Sequence, residues 1–247
     1  MPDLSLSFAD LEPRQRYKLL CGLVVPRPIA LVTTLSPAGV VNAAPFSFFN
    51  VFSENPALIV LGLQHNADGT PKDTTRNIQI SSEFVVNLVD EGIAEAMNIT
   101  ATEFPPEESE PVMAGLEVAP SVQVKPPRLA AAPAAFECRR TVAMAFGPQR
   151  ELLIGEVLGV HVRSGIVDPT TLNVDFAALA PVGRLCGNMY ARRATCSSSS
   201  ASATPSGASS AGRPEAHVRH AGAGRHPYAF ALSSSVGTAH GLRPSPQ

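Results

Sequence analysis

The chain has 247 residues, of which 45% are hydrophobic, and its formal net charge at pH 7 is −2. This length allows one large domain or two small ones, and the charge gives no reason to expect nucleic acid or an anionic membrane as a partner. Four separated cysteines, no leader and no apolar run of about 18 residues predict a soluble cytoplasmic protein without a metal site.

Runs of β-branched and aliphatic residues predict a mainly β fold. The first is a hairpin in which residues 26–36 and 40–45 flank a Pro-Ala-Gly turn. Further strands are predicted at 57–64, 83–90, 135–147 and 151–162, and the last can fill a central strand position. Many strands at short spacing favour a closed or half-closed barrel over βαβ units.

Two short helices are predicted between these strands, at 74–81 and 92–102. Asp73 precedes the first of them and is a favoured N-cap residue. We therefore expect Asp73 to cap that helix.

The composition changes sharply after Arg193. Residues 194–247 are dominated by Ser, Ala, Gly, Arg, Pro and His, with one acid, Glu215, and no lysine. Such a segment has little apolar surface to offset its ordering entropy, so it is predicted to be a disordered tail after a domain at 1–193. It is either a natural low-complexity segment or GC-rich coding sequence read in a shifted frame.

Residues 41–52, VNAAPFSFFNVF, combine polar and aromatic side chains in an unusual way. Asn42, Ser47 and Asn50 are set among four phenylalanines, and Pro45 removes a backbone donor. This mixture could line a planar, partly polar ring.

Residues 69–80, GTPKDTTRNIQI, carry a possible anion site. Lys72, Thr74, Thr75 and Arg76 surround a predicted helix start, where free amides and cations favour a phosphate. A capped surface helix with a solvated charged face is the alternative. Taken together with residues 41–52, this segment predicts a binding site for the phosphate of a ring-containing ligand.

At this point the chain resembles the flavin reductase-like proteins, which bind FMN in a split β-barrel. The matching segments are PRPIALVTT (26–34), NAAPFSFFN (42–50), NPALIVLGL (55–63), KDTTRNI (72–78), EFVVNL (83–88), IGEV (154–157) and GRLCGNMYAR (183–192). They follow the family's order, and no dinucleotide, Walker A or zinc signature competes with them. The resemblance implies a Greek-key-like split barrel with a few short helices.

The resemblance also implies site residues. Asn42, Ala43 and Ser47 would contact FMN, while most of the phenylalanines pack in the core. The phosphate would be held by Lys72, Thr74, Thr75 and Arg76.

The sequence leaves the roles of three further residues open. His161 could touch the nicotinamide or the substrate, or it is a strand-face residue. His65 would lie in a loop near the cofactor. Cys186 stands where the family has a glycine, and it is either redox-active or a buried small hydrophobe.

The implied function is an NAD(P)H-dependent flavin reductase, in which a hydride passes from NADH or NADPH to FMN. A homodimer and a partner oxygenase are also implied. One alternative is an FMN-binding oxidase or electron carrier without nicotinamide activity. A remoter one is a hydrolase that uses Ser47 with His65 or His161, although the G-x-S-x-G elbow is absent.

Overall fold

The computed structural model describes residues 3–192, so the predicted tail at 194–247 lies outside the described residues. The strands are β1 (Ala30–Leu35), β2 (Val41–Phe46), β3 (Phe49–Glu54), β4 (Ala57–Gln64), β5 (Glu83–Leu88), β6 (Val118–Ala119), β7 (Arg128–Leu129), β8 (Ala134–Ala145), β9 (Arg150–Val162), β10 (Gly183–Arg184) and β11 (Tyr190–Ala191). The helices are α1 (Pro13–Leu23), α2 (Asp73–Ser81), α3 (Ala94–Ile99), α4 (Glu110–Met113) and α5 (Phe176–Leu179). None of these five helices is long and apolar enough to cross a membrane.

One antiparallel sheet has seven strands in the order β2-β1-β5-β8-β9-β4-β3. The predicted hairpin is confirmed, because β1 pairs with β2 and Gly39 closes the turn at a φ of 81°. The four further strands predicted from the sequence are β4, β5, β8 and β9, and β9 lies inside the sheet between β8 and β4. The mainly β prediction with a few short helices is confirmed.

The main apolar core forms where the sheet curls around α2. Alternate residues of the strands point into it, as the two-residue period of a strand requires, and α2 contributes Ile78. The buried members are Ala30, Val32, Phe49, Ile59, Leu61, Leu63, Ile78, Phe84, Val86, Cys138 and Leu153. Burial raises the pKa of the Cys138 thiol far above its usual range, so this cysteine is a packing residue.

A second core lies on the opposite face of β1 and β2. Leu31 and Ala43 pack there against Met97 of α3, which is shorter than the helix predicted at 92–102. Apolar packing on both faces thus fixes the backbone of β2. This packing also fixes the position from which residues 47 and 48 continue.

The helices differ from the sequence prediction in their number and in the cap of α2. Helices α1, α4 and α5 were not predicted. The N-cap assignment of Asp73 is wrong, because the N-cap of α2 is Lys72. Asp73 lies inside α2, and its carboxylate accepts a hydrogen bond from Arg76, three residues further along the helix. The carboxylate therefore stays in the first turn of α2, where the charge of Arg76 offsets part of its negative charge.

Candidate functional site

A cavity of about 800 Å³ opens beside β2, the start of α2 and the adjoining ends of β4 and β9. Its lining includes every predicted cofactor-binding residue except Ala43, namely Asn42, Ser47, Lys72, Thr74, Thr75 and Arg76. Ala43 is fully buried, and its backbone N–H donates to Glu110 at 3.0 Å, whereas the neighbouring Ala44 and Pro45 line the cavity. The two segments that the sequence singled out therefore meet in one place.

The N-terminus of α2 contributes polar groups to the cavity. The backbone N–H groups of the first helical turn have no intrahelical acceptor, and Lys72 provides no side-chain cap for them. Thr74 and Thr75 are buried in this turn and line the cavity. Uncapped amides at the positive end of a helix dipole form a site for an anion.

The two cations at this helix start are both in ion pairs. Nζ of Lys72 lies 2.8 Å from Oε1 of Glu103, and Arg76 pairs with Asp73. The hydrogen bond and the charge of Lys72 lower the pKa of Glu103. Because both Lys72 and Glu103 are exposed to solvent, Lys72 can exchange this partner for a ligand at little cost.

Asn42 is held by hydrogen bonds on both sides of its amide. Its Oδ1 accepts from Thr34 Oγ1 at 3.2 Å and from Thr74 Oγ1 at 2.8 Å, and its Nδ2 donates to Glu110 Oε1 at 2.8 Å. Burial raises the pKa of Glu110, although hydrogen bonds from Ala43 N–H and Asn42 oppose this shift. The network ties the start of α2 to β2.

Ser47 lies at the bend between β2 and β3. Its hydroxyl accepts a hydrogen bond from Arg27 Nε at 3.4 Å. No histidine contacts Ser47 among the hydrogen bonds of residues 3–192, so the described chain gives no support to a Ser–His pair.

The two candidate histidines are bound to glutamates and are not among the residues that line the cavity. His65 lies 3.3 Å from Glu151 and 3.2 Å from the carbonyl oxygen of Pro148, next to the cavity residues Gln64 and Asn66. His161 pairs with the buried carboxylate of Glu137 on the neighbouring strand β8. The structure places His161 in a strand-face pair.

Aromatic residues form the apolar part of the cavity. The expected core packing holds for Phe49 but is wrong for Phe48 and Phe52, which are exposed. Phe48 lies at the bend before β3, and Phe52 lies on β3, which is an edge strand of the seven-stranded sheet. Phe48 lines the cavity together with Tyr17 of α1.

Sequence reasoning missed Tyr17, Glu103 and Arg150, which also line the cavity. Tyr17 lies on α1, which was not predicted, and Arg150 is the first residue of β9. The available signal for Arg150 was its positive charge next to the start of a predicted strand. For Glu103, nothing in the local sequence indicates its contact with Lys72.

Comparisons with known proteins show the family to which this chain belongs. A domain model described as "Flavin reductase like domain" matches residues 22–182, so the chain belongs to the flavin reductase-like family and has its split β-barrel fold. An uncharacterised protein of Halalkalibacterium halodurans is 44% identical over 194 residues, which cover 76% of this chain and 92% of that protein.

Two solved structures have similar folds and named activities. The 2-nitrobenzoate 2-nitroreductase NbaA of Pseudomonas fluorescens is 36% identical, with a TM-score of 0.73 over 82% of this chain and 100% of that chain. Component B of nitrilotriacetate monooxygenase from Bacillus cereus is 35% identical, with a TM-score of 0.76 over 80% of this chain and 99% of that chain. Family membership and these relatives identify the protein as a flavoprotein of the oxidoreductase class.

Proposed function

We propose that the protein is an NAD(P)H-dependent flavin reductase that binds FMN in the cavity between β2 and α2. The observation that carries this proposal is the uncapped N-terminus of α2, which faces a cavity large enough for a cofactor. The same cavity has an apolar, aromatic wall for a ring. A ligand with a phosphate at one end and a planar ring at the other fits both parts.

The phosphate would lie at the first turn of α2. There the backbone amides of residues 73–75, the hydroxyl of Thr75 and the ammonium group of Lys72 supply donors and positive charge. Thr74 donates its own hydroxyl proton to Asn42, so its contribution to phosphate is its backbone N–H. Arg76 is paired with Asp73, so its positive charge would offset only part of the negative charge of the phosphate.

The ring would lie along residues 44–48, after the end of the buried stretch of β2. Ala44 and Pro45 bring the backbone close to the cavity, and the Ser47 hydroxyl is oriented by Arg27. When bound, FMN supplies a ring that accepts a hydride from a reduced nicotinamide. The residues of this chain bind and orient that ring, and no general acid is required for the transfer.

The named relatives support the reductase assignment and suggest a setting. One is a nitroreductase, and another is a monooxygenase component B. We therefore propose that the reduced flavin produced by this protein serves a partner oxygenase. We also propose that the protein is a cytoplasmic homodimer and that its hydride donor is either NADH or NADPH.

The test compares FMN with riboflavin and then adds the nicotinamide. In equilibrium dialysis, FMN should bind tighter than riboflavin, because riboflavin lacks the phosphate. Anaerobic addition of NADH or NADPH should then bleach the flavin absorbance rapidly. Equal affinities would contradict the phosphate site, and a bound flavin that neither nicotinamide bleaches would favour the oxidase or electron-carrier alternative.

A further inference from the structure

Tyr17 and Phe48 form an aromatic wall of the cavity, next to residues 44–47. Their ring centroids are 6.3 Å apart and their planes are tilted by 46°. Both rings line the cavity, yet Tyr17 is 55% exposed and Phe48 is 43% exposed. When a ligand covers large apolar faces that are open to water, the burial of these faces stabilises the complex.

Phe48 is held in place by β4. Its backbone carbonyl accepts a hydrogen bond from Gly62 N–H at 2.7 Å. A Cβ atom at position 62 would lie only 2.9 Å from the Cβ of Phe48, so a glycine is needed for this close approach. Phe48 directly follows Ser47, and both residues line the cavity.

Tyr17 is held in place because α1 is fixed at both ends. At its start, Gln15 accepts a hydrogen bond from the Glu12 N–H at 2.9 Å. At its end, the buried guanidinium group of Arg27 donates to the carbonyl oxygens of Cys21 at 2.6 Å and Val24 at 2.8 Å. The same guanidinium contacts Ser47, so one side chain fixes both the helix and the ring-facing hydroxyl.

The phenol of Tyr17 is suited to stacking in its neutral form. Partial burial and the neighbouring Cys21 thiol raise the pKa of Tyr17, although Arg184 and Arg27 oppose the shift. A neutral phenol ring has an electron-rich face, which attracts electron-poor heteroaromatic rings.

Tyr17 lies outside the part of the chain that the family model matches, which begins at residue 22. The wall therefore combines Phe48, from the family domain, with a residue that precedes it.

We propose that Tyr17 and Phe48 form a stacking wall for a planar, electron-poor aromatic ring bound in the cavity. This inference rests on the proposed function, under which two rings of this chemistry enter the site. One is the isoalloxazine ring of the flavin, and the other is the nicotinamide ring of the hydride donor. The wall then determines how tightly one of these rings is held.

The experiment uses the full chain and the variants Tyr17→Leu, Phe48→Leu and Tyr17→Phe. Phe52→Leu is the matched control, because Phe52 is an exposed phenylalanine that does not line the cavity. Dissociation constants are measured for FMN, riboflavin and lumiflavin, which lacks the side chain of riboflavin. The Michaelis constant for NADH, flavin fluorescence and the melting temperature are measured for each variant.

Each leucine variant should weaken binding of the stacked ring about 3- to 10-fold, and Tyr17→Phe should retain most of the affinity. If the ring is the flavin's, all three flavins weaken by the same factor and the fluorescence of the bound flavin rises. If it is the nicotinamide, flavin affinity stays constant and the Michaelis constant for NADH rises. Tyr17→Phe and Phe48→Leu keep the test valid should Tyr17→Leu lower the melting temperature.

Two results would overturn the proposal in different ways. A chain that binds FMN and reduces it with unchanged constants in both leucine variants has no stacking wall, although the proposed function stands. A wild-type chain that binds no flavin at all contradicts the proposed function and the wall with it. An equal loss of affinity in Phe52→Leu would also overturn the wall, since the effect would then not depend on the cavity.

Discussion

Several polar side chains in the cavity already have partners within the protein, and these partners define what each side chain can offer a ligand. Asn42 is bound on both sides of its amide by Glu110, Thr34 and Thr74, so it fixes the geometry of the site. Lys72, by contrast, is paired within residues 3–192 with one exposed glutamate, Glu103. A phosphate can replace that carboxylate, because it offers more charge and more acceptor oxygens.

Replacing Lys72 with alanine should therefore weaken FMN binding by roughly one to two orders of magnitude. A charge-assisted contact to phosphate is worth about 1.5–3 kcal/mol, and each 1.4 kcal/mol is about tenfold in affinity. The affinity for riboflavin should not change. Equilibrium dialysis with both ligands measures the two effects.

Two further variants control this prediction. Lys125→Ala removes a lysine that does not line the cavity and should leave both affinities unchanged. Glu103→Gln removes the competing carboxylate and should tighten FMN binding. If Lys72→Ala weakens FMN and riboflavin equally, Lys72 supports the fold and not the phosphate.

Among the secondary-structure elements, the long strands were predictable from sequence, but the elements that complete the cavity were only partly so. Residues 57–64 and 151–162 form β-branched and leucine-rich runs, and the structure has β4 and β9 there within one residue. Their apolar pattern is local, and burial in a sheet satisfies it directly.

Helix α1 was missed because Glu12 is not one of the favoured N-cap residue types, although Pro13 at the first helical position and Gln15 at the third are start signals. Its N-cap is Glu12, and the helix is completed by a backbone contact to Gln15 and by the distant Arg27. The N-cap prediction for Asp73 is wrong because its carboxylate pairs with Arg76, and this pairing competes with capping. The closeness of Phe48 to Gly62 joins two different strands and has no local signal.

Strand β8 anchors the loop at 122–124 through one carboxylate. Glu137 is almost fully buried, and it accepts hydrogen bonds from the backbone N–H groups of Val122 at 2.8 Å and Val124 at 3.1 Å. Gln123 N–H and His161 donate to the same carboxylate. Burial alone would raise its pKa, but these hydrogen bonds outweigh burial and hold the pKa of Glu137 below its usual range.

A lowered pKa in the folded state makes stability depend on pH in a defined direction. The contribution of Glu137 is present above its unfolded value of about 4.3 and is lost as the pH falls through the lower folded value. Glu137→Gln should lower the free energy of unfolding at neutral pH by about 1–3 kcal/mol and flatten its decline in acid. Urea unfolding between pH 2.5 and 7 measures both effects.

The control for this prediction is Glu117→Gln, which changes an exposed glutamate and should leave the free energy of unfolding at neutral pH unchanged. An acid decline as steep in Glu137→Gln as in the wild type would show that other groups dominate this pH range.

At the level of the complete chain, the family match and the described fold cover different extents. The match ends at Val182, but β10 and β11 follow it and pair with each other. Leu185, just after β10, accepts a hydrogen bond from the Arg27 guanidinium at 2.7 Å. Because Arg27 also holds α1 and Ser47, the segment at 183–191 supports the cavity from outside the matched domain.

A chain ending at Arg193 should keep the melting temperature and the flavin affinity of the full chain. Both main apolar clusters and the cavity lining lie before that residue, and the composition of 194–247 offers little apolar surface for a further core.

A chain ending at Val182 is the contrasting variant. It loses the Leu185 carbonyl and the strand pair β10–β11, so it should melt several degrees lower and bind flavin more weakly. Thermal melts and FMN titrations of the three chains separate these effects. Loss of stability or of flavin already in the chain ending at Arg193 would mean that residues 194–247 contribute to the folded domain, and the predicted boundary would be wrong.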